Sequence, residues 1–261
     1  MIVERVWIDD LLGYTLYAFG SGDPRVLVLG GFTYVDGPAS AGLYLAIRKL
    51  KNADIRGYLA IVPTVLETAM RGYLPRYVDE VRMWSLGEIV RSLLSRFGRD
   101  VIAIAVTCLD RCIDFSSCSD EGLGEVLPTE IVAIGYLTPH LKQVLQVFNR
   151  WIALYLDCSD PLSPNKVVDS VLHILVSLGI VKKRSSKAKR RVVDVYECYS
   201  EWSGIVVPAK RVGEEVVESS IIALVDEHEV KACAQGFVLH IRRSGFVRKG
   251  DLVAIIASYR T

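Results

Sequence analysis

Hydroxyl, phenol and carboxylate side chains follow the first strongly apolar segment of the chain. Residues 26–29 predict a buried strand, two glycines follow it, and the next loop contains Thr33, Tyr34 and Asp36. In an open α/β sheet, the loop that leaves the carboxyl end of a strand is where ligands bind. Thr33, Tyr34 and Asp36 are therefore candidate ligand-binding residues.

A second group of chemically capable side chains follows the apolar segment at residues 101–106. We expect this group to share the loop after that strand, and it contains Cys108, Asp110, Cys112 and Cys118. Cysteines in zinc sites are commonly separated by about two to four residues, so Cys108 and Cys112 have an admissible spacing. A disulfide, or reduced thiols packed against the core, are the alternatives. If a metal binds, these four residues and Asp36 are its candidate ligands.

The elements that would position these residues alternate between strands and helices, as in an α/β fold. An edge hairpin is predicted within residues 1–19 because apolar and polar residues alternate there. The other predicted strands are residues 26–29, 57–63, 101–106 and a strand within 126–136. The predicted helices are residues 39–51, 86–97, 138–156 and 166–178, the last with Gly179 as its cap.

The chain changes character after residue 181. Residues 182–191 include seven basic residues in ten, which favours a solvated linker. Contact with phosphates of a nucleic acid is the alternative, although no aromatic residues for base stacking interleave this segment. Beyond it, six short apolar segments predict a small β-barrel or sandwich. They are residues 192–196, 204–207, 221–225, 229–232, 237–241 and 252–256. The predicted domains are residues 1–181, α/β, and residues 192–261, all β, joined by a linker at 182–191.

The loop around Thr33 resembles the first motif of the succinylglutamate desuccinylase/aspartoacylase family, which has a zinc carboxypeptidase fold. In that family a His-Gly-x-Glu sequence after the strand and glycines supplies two zinc ligands. Here Thr33 stands in place of the histidine and Asp36 in place of the glutamate. A threonine hydroxyl is a poor zinc ligand beside imidazole, thiolate or carboxylate. The resemblance therefore supplies the frame of a zinc site without its histidine.

The resemblance continues along the chain. Asp79 and Arg82 match the family's Asp-Leu-Asn-Arg sequence, whose arginine holds a substrate carboxylate, so the resemblance implies Arg82 as a substrate-binding residue. The segment after residue 106 lacks the family's third zinc ligand, a histidine. The family's catalytic glutamate lies two residues before a glycine, and counting back from Gly135 gives Ala133. Glu130 is an odd number of positions from Ala133, so it points to the other face of a strand.

The resemblance implies a three-layer fold, in which a mixed, largely parallel sheet has helices on both faces, followed by a lipoyl-like β domain. Because the histidine ligands and the catalytic glutamate are not retained, we expect no catalytic residue and no bound zinc. We expect a non-catalytic binding or scaffold protein that uses the retained cleft. One alternative is a zinc-dependent deacylase of N-acyl amino acids with a rebuilt metal site. A second alternative is nucleic-acid or ribosome association through the basic linker.

Composition limits the partners. The 31 basic and 30 acidic residues give a net charge of +1, so no dominant polyanionic partner is expected. No apolar run approaches the ~20 residues that span a bilayer, and the start of the chain lacks a signal-peptide pattern. We expect a cytoplasmic protein that binds a small carboxylate ligand or a protein partner.

The six cysteines would be reduced in the cytoplasm, except in a hyperthermophile. Few methionines and glutamines are compatible with a thermophilic archaeal source.

Overall fold

The computed structural model describes residues 1–8, 12–33, 36–66, 79–159, 163–182 and 190–260, without the side chains of residues 79–84. Tyr34, the side chain of Arg82 and most of the basic linker lie outside this description.

Sixteen strands and five helices lie within the described residues. The strands are β1 Ile2–Trp7, β2 Gly13–Ser21, β3 Arg25–Leu29, β4 Gly57–Val62, β5 Ile102–Leu109, β6 Phe115–Cys118, β7 Ile131–Ile134, β8 Arg150–Asp157, β9 Arg191–Tyr199, β10 Gly204–Pro208, β11 Glu215–Val216, β12 Ile221–Val225, β13 His228–Lys231, β14 Gly236–Ile241, β15 Gly245–Val247 and β16 Leu252–Tyr259. The helices are α1 Gly37–Leu50, α2 Asp79–Phe97, α3 Glu121–Gly124, α4 Pro139–Leu145 and α5 Ser163–Ser177.

A twelve-stranded mixed sheet forms the centre of the molecule, in the order β1-β2-β4-β3-β5-β8-β6-β7-β9-β16-β14-β11. Strands β4, β3, β5 and β8 are parallel to one another. Strand β6 runs antiparallel to β8, and β7 and β9 follow the direction of β6. The predicted edge hairpin is confirmed, because β1 pairs with β2 at one end of the sheet. Strand β9 joins the C-terminal strands to this sheet, which is therefore continuous across the predicted domain boundary.

Helices cover both faces of the sheet. On one face, α2 and α4 pack through Ile89, Leu93 and Val144 against alternate residues of β3 and β5. On the other face, α1 and α5 pack through Leu43 and Val171. Because the central strands are buried on both faces, they are apolar at nearly every position. The predicted fold class, a large mixed sheet with helices on both faces, is confirmed to this extent.

The C-terminal strands are divided between the twelve-stranded sheet and a second sheet that packs on it. Strands β10, β12, β13 and β15 form a separate four-stranded sheet. Its inner face packs on β14 and β16 around Val206, Ile222 and Ile256. A disulfide between Cys198 and Cys233 also joins β9 to the chain after β13. The six predicted β segments of this region are strands, whereas the short β11 and β15 were not predicted.

Two sequence interpretations of the middle of the chain were wrong. The predicted helix over 138–156 ends at Leu145, and β8 follows at Arg150. The two core clusters on opposite sides of the sheet bury both faces of β8. Its continuous apolar run therefore matches a helical stripe as well as a strand. The segment containing Phe115–Cys118, interpreted as part of a loop, is strand β6. None of the helices in the described ranges is long and apolar enough to cross a membrane.

Candidate functional site

The site is built around Asp36, which lies where the loop after β3 enters α1. Asp36 occupies the position before the first helical residue, Gly37, and Pro38 follows in the first turn. Its side chain makes no hydrogen bond that caps α1. The positive end of the helix dipole nevertheless lies next to the carboxylate and favours its charged form. The side chain turns instead toward the carboxyl end of β5.

The two oxygens of the Asp36 carboxylate accept hydrogen bonds from different segments of the chain. Oδ2 accepts from the backbone N–H of Phe32 at 3.0 Å, and from the N–H and hydroxyl of Thr33 at 2.8 and 3.0 Å. Oδ1 accepts from the hydroxyl of Thr107 at 2.9 Å and from the backbone N–H of Cys108 at 2.7 Å. The side chain is completely buried. Asp36 therefore connects the loop after β3 to the end of β5.

The charge of this carboxyl group depends on two opposing effects. Burial raises the pKa of Asp36, and the hydrogen bonds from Cys108, Thr107 and Thr33 offset part of that rise. Three of the five donors are backbone N–H groups, which can only donate. Both oxygens must therefore remain acceptors, whether or not the group also carries a proton.

Polar groups from α4 and β8 lie next to this network. His140, in the first turn of α4, places Nε2 3.5 Å from the Thr107 hydroxyl. The backbone N–H of Thr138 donates to the phenol oxygen of Tyr155 at 3.0 Å. Tyr155 is fully buried and stacks on Phe115, with 4.4 Å between ring centroids. Burial raises the pKa of Tyr155 above its ordinary value, so it is a neutral phenol at physiological pH.

The glycine pair sets the path of the loop that carries Thr33. Gly31 has a φ of +66°, in the left-handed region that favours glycine. A Cβ there would lie 2.5 Å from the Ser40 hydroxyl and 2.8 Å from the Cα of Thr64. The N–H of Val65 also donates to the carbonyl of Gly30 at 2.8 Å. The loop therefore packs tightly against the chain after β4, which fixes the backbone N–H groups that face Asp36.

The candidate metal ligands do not converge. Cys108 forms a disulfide with Cys158, just after β8. Cys118 lies on β6, with β8 between it and β5, and its thiol contacts the carbonyl of Asp120 at 3.2 Å. The prediction that the cysteines share one loop was wrong because β6 begins at Phe115.

The remaining members of that set have other partners. Asp110 is paired with Arg243 at 2.7 Å. The Cys112 thiol is buried and lies 3.7 Å from the carbonyl of Leu109. In the part of the chain that the structure describes, no three His, Cys, Asp or Glu side chains are grouped so that they could hold a metal ion.

The described donor set does not fit zinc. Zinc in proteins takes thiolate, imidazole or carboxylate ligands, usually four in a tetrahedron. The Cys108 sulfur is in a disulfide, so it supplies no thiolate, and both Asp36 oxygens already accept hydrogen bonds. Thr33 and Thr107 present hydroxyls. Ala133, which the sequence resemblance places at the family's catalytic glutamate, is buried on β7, whereas Glu130 is exposed and pairs with Arg191 at 3.2 Å.

The structure brings together only part of the predicted site. Thr33 and Asp36, both predicted to bind the ligand, are in contact with each other. Tyr34 and the Arg82 side chain lie outside the described residues, although Arg82 belongs to the first turn of α2. Sequence reasoning missed the role of Thr107. Its signal was alternation along β5, which places Thr107 on the same face as Ala103 and Ala105.

Comparison with known proteins supports the fold. No protein-family model and no curated protein matches the sequence. An aspartoacylase family protein of Mesorhizobium loti has a solved structure that matches with a TM-score of 0.75 at 14% identity, covering 96% of this chain and 90% of that chain. A succinylglutamate desuccinylase/aspartoacylase of Rhodobacter sphaeroides matches with a TM-score of 0.74 at 15% identity, covering 95% and 90%.

A third solved structure aligns with this chain over the full length of both chains. It is that of a putative succinylglutamate desuccinylase/aspartoacylase family protein of Shewanella amazonensis, with a TM-score of 0.72 at 11% identity and 100% coverage of each chain. These likenesses confirm, at the level of the fold, the family resemblance inferred from the sequence.

Proposed function

We propose that this chain is a non-catalytic relative of the desuccinylases and aspartoacylases that binds a small carboxylate ligand in the cleft beside Asp36. The hydrogen bonding of Asp36 is the observation that carries this proposal. At the position where the resemblance places a zinc-binding glutamate, the chain has a carboxylate whose two oxygens already accept five hydrogen bonds.

The energetics of this network oppose a metal at the same place. If Asp36 turned to bind a cation, the N–H groups of Phe32, Thr33 and Cys108 would lose their acceptor. An unsatisfied buried donor costs about 1–3 kcal/mol. Without a metal-bound water the hydrolytic nucleophile is missing, and Ala133 cannot act as a general base.

Arg82 is the residue we propose to hold the ligand. The resemblance assigns a substrate carboxylate to the arginine at this position, and a planar guanidinium binds a carboxylate through two parallel hydrogen bonds. Thr33 and Tyr34 complete the proposed binding residues. A lipoyl-like identity for the C-terminal sandwich belongs to the same proposal.

Calorimetric titration with N-acylated acidic amino acids, paired with an assay for release of the free amino acid, tests this function. We expect binding without turnover, whether zinc is added or not. Arg82→Gln should abolish binding, whereas Arg91→Ala should leave it unchanged, because Arg91 lies on the same helix but is exposed and paired with Glu88.

Two results would favour the alternatives. Turnover that a chelator abolishes would indicate a hydrolase with a rebuilt metal site. Failure of every acylated amino acid to bind, with salt-sensitive retention on a polyanion resin that depends on residues 182–191, would instead favour nucleic-acid association.

A further inference from the structure

The four-stranded sheet of the C-terminal region has an apolar outer face. The outer face is defined by five residues of β10, β12 and β15: Ile205, Val207, Ile221, Leu224 and Phe246. Each of these side chains is between 38% and 60% exposed.

Strand register places these side chains next to one another. Ile205 lies opposite Phe246, and Val207 lies opposite Leu224. Directly opposite residues in an antiparallel pair point to the same face of the sheet. The residues between them, including Val206, Val225 and Val247, point inward to the sandwich core. The outer face is therefore a second, continuous apolar surface on the same sheet.

An antiparallel sheet with one buried face normally exposes polar residues on the other. Contiguous exposed apolar patches of about 300–600 Å² are often functional on monomers. Along β12 and β10, the two central strands, the outer face has apolar side chains where polar ones are normal. This is typical of an interaction surface.

Charge is distributed unevenly around the outer face. On the β13 side, the turn after β12 contains Asp226 and Glu227, and Glu229 follows on β13. On the β15 side, Arg248 and Lys249 follow the strand. Lys231 is a basic residue on the acidic side, where it pairs with Glu229 at 3.7 Å. The acidic turn on the β13 side and the basic residues on the β15 side lie at the same end of the strands, since the Asp226 carboxylate accepts the N–H of Ile205 and the N–H of Lys249 donates to the Ser203 hydroxyl.

We propose that the outer face binds the outer face of a second copy of this chain. A two-fold axis that runs along the strands, between β10 and β12, places β12 of one copy over β10 of the other. The acidic β13 side then faces the basic β15 side of the partner copy, twice by symmetry. The apolar centre and the charged borders are both self-complementary in this arrangement.

The area indicates a weak dimer. Stable complexes bury at least about 1,200 Å² in total, and smaller interfaces are typical of transient association. The five side chains of the outer face are far fewer than the roughly 20–30 residues that each partner contributes to a standard interface. We therefore expect a dimer that forms only as the protein concentration rises.

Sedimentation velocity over low micromolar to submillimolar concentrations tests the proposal. The average mass of the wild-type chain should rise toward that of two chains. Val207→Lys should weaken dimerisation by about tenfold or more, because it places an unpaired ammonium group in the centre of the interface. Val3→Lys is the matched control, since Val3 is an exposed valine on β1, at the opposite end of the large sheet.

Charge reversal tests the orientation of the two copies. Glu227→Lys and Lys249→Glu should each weaken dimerisation, and the double variant should return toward the wild-type value. A wild-type chain that stays monomeric at every concentration would overturn the proposal. So would a dimer that Val3→Lys disrupts and Val207→Lys does not. A double variant as weak as its two single changes combined would overturn the proposed two-fold arrangement.

Discussion

A single carboxylate joins the loop after β3 to the end of β5. A buried carboxylate needs a cation or several donors to offset its desolvation. Asp36 has five donors from the chain itself, from Phe32, Thr33, Thr107 and Cys108. The proposed loss of metal and the local stability of the loops therefore have one structural cause.

Asp36→Asn should destabilise the fold. Each oxygen of Asp36 accepts a backbone N–H, so an amide NH₂ group at either position would face a donor that cannot accept. We expect the free energy of unfolding to fall by about 2 kcal/mol or more, measured by urea denaturation. Asp114→Asn is the control, because one amide oxygen can still accept the Asp157 N–H and only an exposed contact with Lys166 is lost. Equal losses in the two variants would contradict this account of Asp36.

Sequence and structure agree on part of the site for a physical reason. Thr33 and Asp36 are three residues apart in one loop, so local spacing predicts their contact. Thr107 reaches Asp36 through the order of strands, and His140 reaches Thr107 through the packing of α4. Residue types alone encode neither contact. The binding roles of Tyr34 and Arg82 remain predictions.

Among the helices, the contact between α1 and α5 depends on the absence of a side chain. Gly42 lies on the buried face of α1, and a Cβ there would lie 2.4 Å from the Cβ of Val167 and 2.7 Å from the carbonyl oxygen of Pro164. The two helices therefore approach more closely than an alanine would allow. This contact supports the sheet face beneath the start of α1, where Asp36 lies.

Gly42→Ala and Gly87→Ala should have opposite effects on stability. Alanine in place of glycine inside a helix normally stabilises it by about 0.5–1 kcal/mol. At Gly87 of α2 no atom of the described residues lies within 4 Å of the added Cβ, so we expect this gain. At Gly42 the clash with α5 should instead lower the unfolding free energy by about 1–3 kcal/mol. Thermal unfolding measures both changes, and a stabilising Gly42→Ala would show that α1 and α5 are not packed as described.

Helices and strands could be predicted from the sequence where one of their faces is buried and the other is exposed. Helix α5 and the hairpin of β1 and β2 have clear periodicities, and both were identified. Strand β8 is buried on both faces and follows the short α4. Its residues are therefore apolar without alternation, and alternation is the pattern that distinguishes a strand from a helix. Its position between β5 and β6 could be recognised only from the assembled sheet.

Across the whole molecule, the N-terminal and C-terminal parts share a sheet and a second contact. The segment after β5 pairs with β14, where the N–H of Ile113 donates to the carbonyl of Leu239 at 3.0 Å. His240, which is buried, directs Nδ1 to the carbonyl of Arg111 at 3.2 Å, so this nitrogen carries the proton. Burial lowers the pKa of His240, which favours the neutral ring in the folded state.

This contact predicts a loss of stability in acid. The unfolded histidine takes up a proton near pH 6.5, whereas folded His240 stays neutral to lower pH. Stability should therefore fall as the pH falls through this range. His240→Asn keeps a donor near the Nδ1 position but does not titrate. Urea unfolding at pH 7.5 and pH 5.5 should show that the stability advantage of the wild type over this variant shrinks in acid. An advantage that is constant or larger at pH 5.5 would contradict a neutral, buried His240.

Zinc content tests the central claim most directly. The chain is purified without added metal or chelator, and its zinc is measured by elemental analysis before and after incubation with excess zinc and gel filtration. We predict far less than one zinc per chain in both samples, and the same for Asp36→Asn. One zinc per chain that survives gel filtration, and that Asp36→Asn loses, would contradict the account of Asp36 as a carboxylate satisfied by the chain alone.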